Sequence, residues 1–330
     1  DQVDAIGFQA LQAALDRQAR VRRREIEARL AVVELFADLA DNHPLLALAA
    51  QAHATEGGAS IYPHGVEGFM AGALPPPGVY GMVYGQHYHA GRLNDHNGDN
   101  LNVPNFSINA NVIAPRLIWV TPQKVLGGDL ALHTIVPLVD LEVEAGSRRQ
   151  RKTGLGDIVV GAALGYHHSD KLHSIVALDT YLPTGRYDKN DLANIGTNHW
   201  AVEPVYAVSY VQPKGVVADA KIGYIFNQRN SDTDYKSGDE LHADYSAGWA
   251  FGNGWTAGVG GYALQQTTSD KQHGETLAHS KARAFAIGPS VKYDSGKGWF
   301  ASLKWQKEVV AQNRPEGNAV WLKAVFPLSK

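Results

Sequence analysis

From Gly78 onward, apolar and polar residues alternate with a period of two, in segments of about 10–15 residues that turn residues separate. This pattern is typical of strands with one apolar and one polar face, and the segments are long enough to cross a membrane at a tilt. About twelve segments are present, which predicts an all-β fold, a closed antiparallel transmembrane barrel. They are Val79–Ala90, Phe106–Val120, Asp129–Glu144, Asp157–His168, Leu172–Leu182, His199–Val211, Val216–Asn227, Leu241–Phe251, Trp255–Gln266, Lys281–Tyr293, Trp299–Val310 and Ala319–Leu328.

Long polar links and tight turns alternate along the chain. An outer-membrane barrel has this arrangement, with long loops outside the cell and short turns in the periplasm, whereas a soluble β-sandwich has no need of it. The alternation is the strongest indication of a membrane barrel in the sequence. The links predicted to be long are Leu93–Pro104, Ala145–Gly156, Thr184–Asn198, Gln228–Glu240, Thr267–Ser280 and Ala311–Asn318.

The two faces of each strand differ in chemistry. One face is bulky and apolar and carries aromatic residues near the segment ends, where a lipid–water interface would lie, so we predict that this face points outward. Tyr80, for example, is assigned to an aromatic girdle. The opposite face then encloses a polar lumen without strong selectivity for either sign of charge. The residues predicted to line it are His87, His89, Asn109, Asp157, His167, Asp179, Glu203, Lys221 and Asp244.

Residues 1–54 differ from the rest of the chain. Ile26, Leu30 and Val33 recur at helical spacing, which predicts a helical extension. A short apolar stretch then ends in Ala52-His53-Ala54, a pattern similar to a signal-peptidase site. We therefore divide the chain into 1–54 (helical extension and signal-peptide tail), 55–78 and 79–330 (the barrel).

Residues 55–78 contain several glycines and the run Pro75–Pro77, which exclude a long helix or a central strand. The segment is either a loose periplasmic linker or a plug inside the barrel, and its apolar residues favour the plug. The residues predicted for the plug and the substrate path are His64, Glu67, Phe69, Met70, Pro75, Pro76 and Pro77.

Prolines within the predicted strands are a second unusual feature. Each removes a hydrogen bond from the ladder, and lipid cannot replace it, so at least one is expected to mark a kink or an opening in the wall. A bulge near a rim is the alternative explanation. Through such an opening a hydrophobic solute would leave the lumen directly into the bilayer. The candidate wall kinks are Pro115, Pro137, Pro204 and Pro289.

Composition excludes several other classes of function. The formal net charge of −3 gives no reason to expect nucleic-acid binding. The chain has no cysteine, which excludes disulfides and thiol catalysis, and it has no apolar run long enough for a membrane helix. His87 and His89 share a face but lack further ligands for a metal. We therefore expect no metal, no cofactor and no enzymatic activity. The alternatives are an outer-membrane lipid-modifying enzyme with a Ser–His pair, and a structural or adhesive barrel.

Four stretches resemble a known family of outer-membrane proteins, the MetA-pathway of phenol degradation family. They are His64–Gly81 (HGVEGFMAGALPPPGVYG), Gly154–Asp157 (GLGD), Leu182–Asp188 (LPTGRYD) and Asn198-His199-Trp200. The resemblance implies a twelve-stranded barrel whose N-terminal segment occludes the lumen, and uptake of small hydrophobic molecules, aromatic compounds included, through a lateral opening. It further implies a Gram-negative outer-membrane location, contact with membrane lipids and the barrel-assembly machinery, and a monomer. The chain departs from the family in its leading residues and in ending on Ser329-Lys330 instead of an aromatic residue.

Overall fold

A computed structural model describes residues 56–58 and 60–329 of the chain. These residues form an antiparallel sheet that closes on itself, because the first strand pairs with both the second and the last. The sheet has fourteen segments, but two strands are each interrupted once, so it is a barrel of twelve strands. The predicted fold class is thereby confirmed. The helical extension and the signal-peptide tail predicted for 1–54 lie outside the described residues. Among the described residues, no helix is long and apolar enough to cross a membrane.

The strands follow one another around the barrel in chain order. Two loops, 228–239 and 267–282, add a small four-stranded sheet from Arg229–Asn230, Tyr235–Lys236, Lys271–Gln272 and Glu275–Thr276, and a short 3-10 turn, Glu56–Gly58, precedes the barrel. The barrel strands are β1 (Gly78–Leu93), β2 (Ser107–Val125), β3 (Gly128–Ile135 with Leu138–Ala145), β4 (Arg148–Leu155 with Ile158–His167), β5 (Leu172–Leu182), β6 (Ala201–Tyr210), β7 (Lys214–Asn227), β8 (Glu240–Phe251), β9 (Trp255–Gln266), β10 (Arg283–Asp294), β11 (Phe300–Gln312) and β12 (Pro315–Ser329).

The long connections, which include 94–106 and 183–200, all leave the barrel at one end. We name this the loop end and the opposite one the turn end. Two of the predicted long links are wrong, because the chain turns tightly at 146–147 and at 313–314 instead. Gly146 has a φ of 63°, which such a tight turn requires.

The polar residues 148–155, predicted as part of a loop, form the first segment of β4. Their charges are matched by β3: the guanidinium of Arg151 donates two hydrogen bonds, of 2.9 and 2.7 Å, to the carboxylate of Asp140. Charged side chains are therefore compatible with a strand here because they pair across its outer surface.

The outer surface of the barrel is apolar and its interior is polar, as predicted. Leu178 is 52% exposed on the outside, whereas Glu203, His242 and Asp244 are at most 1% exposed inside. A soluble barrel shows the reverse, and an outer surface of this kind is suited to lipid. Large apolar residues exposed on the outside are Ile113, Leu117, Trp119, Leu132, Val160, Val176, Leu178, Tyr206, Val216, Ile222, Trp249, Val259, Leu303, Trp305 and Leu322.

The prediction that His87, His89 and Asn109 face the lumen is wrong. Both histidines are exposed on the outer surface, where they are hydrogen-bonded to Asn111 and Asn109 of β2 at 2.8 Å. The other face of β1 points inward, since Tyr84 is only 3% exposed and lies in the lumen.

The reason is that β1–β4 extend past the apolar band at the loop end. Ile113, Leu138 and Leu155 pair in register as the last outward apolar row, and the next outward row on β3 begins with Asp140. Beyond that row the outer surface meets water, so polar residues are expected there. Tyr80, predicted for an aromatic girdle, also points inward, since it lines a cavity in the lumen.

Asp270 connects the two loops of the small sheet. Its carboxylate accepts hydrogen bonds from the hydroxyl of Tyr235 (2.5 Å), the backbone N–H of Gly238 (2.7 Å) and the side-chain amide of Gln266 (2.6 Å). Burial nevertheless dominates and raises the pKa of Asp270 to about 7. The folded loops therefore favour the protonated carboxyl.

Candidate functional site

Residues 60–77, which we name the N-terminal segment, lie against the inner wall of the barrel. The carboxylate of Asp244 on β8 accepts three hydrogen bonds from it. The donors are the hydroxyl of Tyr62 (2.7 Å) and the backbone N–H groups of Gly65 (2.8 Å) and Glu67 (2.9 Å). Hydrogen bonds to a charged acceptor are the strong ones, so this buried carboxylate is a principal anchor of the segment.

A second set of contacts continues along β6 and β7. The N–H of Met70 donates to Asp219 (2.8 Å), and the N–H of Gly72 donates to the hydroxyl of Ser209 (2.8 Å). Gly72 lies so close to β6 that a Cβ atom would be 2.6 Å from the backbone of Val208. Only glycine therefore permits this approach.

Strand β11 binds the carbonyl groups of the same segment. The ammonium of Lys304 donates to the carbonyl oxygens of Gly65 (2.5 Å) and Glu67 (2.6 Å), and Gln306 donates to that of His64 (3.3 Å). These backbone anchors all come from β6–β11. The segment is thus fixed to that side of the barrel, and open space remains beside β1–β5.

Glu67 links the segment to the opposite wall. Its carboxylate contacts Lys323 of β12 at 2.8 Å, accepts a hydrogen bond of 2.6 Å from the hydroxyl of Tyr84, and lies 3.5 Å from the guanidinium of Arg116. It is 8% exposed. A buried carboxylate with two cationic neighbours and a hydroxyl donor remains charged, and it forms the centre of a polar network across the lumen.

The remaining residues predicted for the plug occupy different environments. His64 and Phe69 are buried, at 7% and 1% exposed. Pro75 lines a cavity, whereas Pro76 and Pro77 are exposed just before β1.

Two cavities lie beside the N-terminal segment, one toward each end of the barrel. The loop-end cavity has a volume of about 230 Å³ and the turn-end cavity about 360 Å³. Both border Glu67, Arg116, Asp179 and Lys221, so a layer of charged side chains separates them. Away from this layer the walls are largely apolar. Apolar residues of the barrel wall include Val112, Ala114, Ile135, Val139 and Val159 in the loop-end cavity, and Ile118, Ala131, Ala163, Ile175 and Ala177 in the turn-end cavity.

The wall beside the loop-end cavity is interrupted. Strand β3 breaks at Val136–Pro137, and β4 breaks at Gly156–Asp157, at the same height in the barrel wall. On β2, Pro115 lies between the stretches that pair with the two halves of β3. Pro137 lacks an N–H, and only two backbone bonds span the breaks, from Val136 to Pro115 (3.0 Å) and from Gly156 to Pro137 (2.9 Å). Pro137, Gly156 and Asp157 all line the cavity. We name this region the wall break.

The other prolines predicted as wall kinks lie in strands that run through them. Strand β2 passes Pro115, β6 passes Pro204 and β10 passes Pro289 without interruption. Pro204 and Pro289 each coincide with a short gap in one ladder, to β7 and to β11 respectively, because proline has no N–H to donate. The prediction of kinks is therefore corrected to local gaps in pairing at these two positions.

The loop 183–200 covers the wall break. The first segment of β4 extends beyond the end of β5, and this loop takes the place of a neighbouring strand. The side-chain oxygen of Gln150 accepts hydrogen bonds from the N–H groups of Leu192 (2.7 Å) and Ala193 (2.8 Å). Ile195 packs against Gly154, where a Cβ would be 3.0 Å from its Cδ1. Side chains, and not a backbone ladder, therefore close the wall here.

Asp157 holds this loop in place. One carboxylate oxygen accepts a hydrogen bond from the N–H of Gly185 (2.9 Å), and the other accepts two from Thr197, from its N–H (2.8 Å) and its hydroxyl (2.7 Å). A single carboxylate thus joins the edge of the break to both ends of the loop.

The residues predicted to line the lumen therefore lie in four different places. His87, His89 and Asn109 are outside. Asp157 lies at the wall break, and His167 lies at the turn-end cavity. Four have buried side chains in the interior: Asp179, Glu203, Lys221 and Asp244.

Sequence reasoning missed two functional candidates in the charged part of the lumen, Arg116 and His133. Arg116 lies on the same face of its strand as Ala114 and Ile118, within an otherwise apolar stretch. An isolated arginine at such a position could have indicated a functional residue. Nε2 of His133 donates to the carboxylate of Asp179 at 3.0 Å, a contact that only the folded register reveals.

Neither metal chemistry nor hydrolysis finds support in the described residues. No group of three or more His, Asp or Glu side chains among them is arranged to hold a metal ion. A Ser–His pair does occur at the turn end, where His168 and Ser174 lie 2.7 Å apart, but Ser174 is only 4% exposed. A nucleophile must reach its substrate, so this pair does not support the enzyme alternative.

Comparison with known proteins agrees with this architecture. The family model described as MetA-pathway of phenol degradation matches residues 90–324. The crystal structure of an outer membrane channel from Pseudomonas putida F1 is 19% identical and covers 77% of this chain and 96% of that one, with a TM-score of 0.69. The translocator domain of the autotransporter NalP from Neisseria meningitidis (8% identity, 90% and 98% coverage) and a Pseudomonas aeruginosa FadL homologue (10%, 85% and 98%) give TM-scores of 0.46 and 0.38, too low for any argument. No curated protein has a matching sequence.

Proposed function

Since the chain belongs to the MetA-pathway of phenol degradation family, we propose that it is an outer-membrane channel that takes up small hydrophobic molecules and releases them sideways into the bilayer. The loop end then faces the outside of the cell and the turn end the periplasm. The apolar outer surface supports a position in the membrane. The solved structure that shares this fold is that of a channel, which supports the prediction that the chain is not an enzyme.

One observation carries the proposal: an apolar cavity in the lumen borders the wall break. A water-filled pore for polar solutes needs no apolar cavity and no interruption of its wall, since its solutes remain in water throughout. A hydrophobic solute gains free energy on leaving water for the cavity, and again on passing from the cavity into lipid. The wall break is at the level of the last apolar row of the outer surface, so its exit meets hydrocarbon.

A reversible lock on the loop tests this route. The chain has no cysteine, so a pair introduced as Gly154→Cys and Ile195→Cys joins the loop to β4 without competing thiols. The control pair is Gly85→Cys with Leu322→Cys, on the outer surface between β1 and β12, where the two Cβ atoms lie 3.6 Å apart, a spacing suited to a disulfide.

Uptake is measured with N-phenyl-1-naphthylamine, a hydrophobic dye that fluoresces in membranes, in cells whose outer leaflet is intact. We expect the Gly154–Ile195 lock to reduce dye uptake to the level of cells without the protein, and a reductant to restore it. The control disulfide leaves uptake unchanged. Unchanged uptake in the locked protein would exclude this exit, and uptake equal to that of cells lacking the protein in every variant would exclude the channel function.

A further inference from the structure

The edge of β4 beside the wall break is fastened to the loop 183–200 at two heights. Toward the loop end, Gln150 and Lys152 bind the loop through hydrogen bonds and an ion pair. Toward the turn end, Asp157 binds both ends of the loop. Gly154 lies between these polar contacts, where the described residues provide no hydrogen bond between this glycine and the loop.

A single side chain, that of Ile195, closes this interval. Among the described residues, the only atom within 4 Å of a Cβ built on Gly154, its chain neighbours apart, is Cδ1 of Ile195, at 3.0 Å. Ile195 is 9% exposed and lines the loop-end cavity. The other residues of the loop that line this cavity, Asn194, Gly196 and Thr197, are polar or lack a side chain. Closure at this point therefore depends on dispersion contact alone.

The glycine opposite leaves room for this side chain. Gly154 is not among the described glycines with a positive φ, so its backbone conformation does not require glycine. The backbone beside Ile195 is fixed, because the N–H of Gly196 donates to the carbonyl oxygen of Arg186 (3.2 Å) across the base of the loop. The width of the gap between strand and loop is therefore determined by the side chain of Ile195.

We propose that Ile195, packed against the bare backbone of Gly154, sets the upper width of the apolar solutes that leave through the wall break. A solute passes this point without exchanging hydrogen bonds, so the filter responds to shape and not to polarity. A single methylene group in an apolar pocket discriminates between ligands by about 10–200-fold, and the lower end is expected for a passage that solutes only cross. This inference rests on the proposed channel function and adds a size limit to it.

Two dyes of different width test the filter in intact cells: N-phenyl-1-naphthylamine and Nile red, which has a broader fused ring system. Ile195→Val deletes Cδ1 alone, so uptake of Nile red should rise about tenfold relative to that of the smaller dye. Gly154→Ala places a Cβ against Cδ1, so uptake of both dyes should fall. In the double variant the valine lacks the atom that this Cβ meets, so uptake and the dye ratio should return to wild-type values.

The sign of the Gly154→Ala effect separates a filter from a contact that only holds the loop closed. Crowding of a closing contact would loosen the loop and raise uptake of both dyes, and that result would overturn the inference. Leu192→Val is the matched control, because Leu192 belongs to the same loop but lines neither cavity. It should keep the wild-type dye ratio, and a change as large as that of Ile195→Val would also overturn the inference. Resistance to unfolding in cold SDS checks the fold of every variant.

The two proposals fail in different ways. If the Gly154–Ile195 lock stops uptake of N-phenyl-1-naphthylamine but the dye ratio is the same in all size variants, the channel stands and the size filter does not. If neither dye enters faster than in cells that lack the protein, the channel function itself is wrong.

Discussion

Replacing Asp157 is expected to release the loop 183–200 from the wall break without unfolding the barrel. The carboxylate accepts three hydrogen bonds at 2.7–2.9 Å and is 9% exposed. Hydrogen bonds to a charged group contribute about 1.5–3 kcal/mol each, but bonds to one acceptor are not additive, and water replaces part of them once the loop opens. We therefore estimate about 3 kcal/mol for Asp157→Ala, or a rise of about a hundredfold in the population of the open loop.

Hydrogen–deuterium exchange of the full chain in detergent measures that population directly. Peptides from 183–200 should exchange about a hundredfold faster in Asp157→Ala, while peptides from β8–β10 exchange at wild-type rates. Asp157→Asn is expected to be intermediate, since the amide keeps one acceptor oxygen but turns its NH₂ group toward an N–H donor.

The matched control is Asp188→Ala in the same loop. Asp188 is exposed, and its carboxylate accepts hydrogen bonds only from Asn190 among the described residues, so the loss of this carboxylate should leave exchange at Gly185 and Thr197 unchanged. If the loop of a folded Asp157→Ala protein exchanges at the wild-type rate, Asp157 does not hold the wall closed, and the reasoning from its hydrogen bonds fails.

Three other predictions follow from separate parts of the structure. Asp244→Ala removes the principal anchor of the N-terminal segment, so single-channel recordings should show larger and noisier ion conductance; a wild-type trace would mean that the other anchors suffice. The pKa of Asp270 in the folded protein is raised to about 7 from its ordinary value of 3.8, so the protonated carboxyl stabilises the loops, and that contribution is lost as pH rises through 7. Proteolysis of 267–282 should therefore be slower at pH 5 than at pH 8. Asp270→Asn should remove this difference. On the outer surface, Leu178→Arg should lower the free energy of unfolding by about 2–4 kcal/mol whereas His89→Arg should have little effect, and equal effects in urea titrations would contradict the assigned position of the membrane.

Much of the barrel could be predicted because its strands are long and their outer face must be apolar. The bounds of β5 and β9 agree residue for residue with the predicted segments Leu172–Leu182 and Trp255–Gln266, since a tight turn precedes each strand and a polar loop follows it. Prediction failed for 148–155, where arginines in a strand pair with acids on β3. Cross-strand pairs of this kind depend on register, which a single sequence does not state.

The orientation of β1 could not be read from its own residues. Both faces carry side chains that combine a ring with a polar atom: tyrosines line one face, and histidines line the other. Tyr84 points inward because its hydroxyl reaches Glu67, and His89 points outward because that part of the strand lies beyond the apolar band. A rule that assigns aromatic residues to lipid fails wherever a tyrosine hydroxyl has a buried partner.

The charged layer was even harder to predict from the sequence, because its members come from four separate parts of the chain. Glu67 belongs to the N-terminal segment, Arg116 to β2, Asp179 to β5 and Lys221 to β7. Asp179 and Lys221 were predicted as lumen residues from parity alone. Their meeting with Arg116 and Glu67 follows from closure of the barrel and from the position of the segment inside it.

The two sides of the barrel differ, and this difference separates closure of the lumen from lateral release. The backbone anchors of the N-terminal segment come from β6–β11, whereas the wall break and most of the apolar cavity wall belong to β1–β5. On the proposed route, a solute moves from the loop-end cavity to the wall break along a wall that does not hold the segment. We expect the segment to exclude water and ions from the lumen and the loop 183–200 to control lateral release. Asp244→Ala should accordingly change ion conductance more than hydrophobic uptake, and the Gly154–Ile195 lock should do the opposite; a single variant that changed both equally would show that the two elements move together.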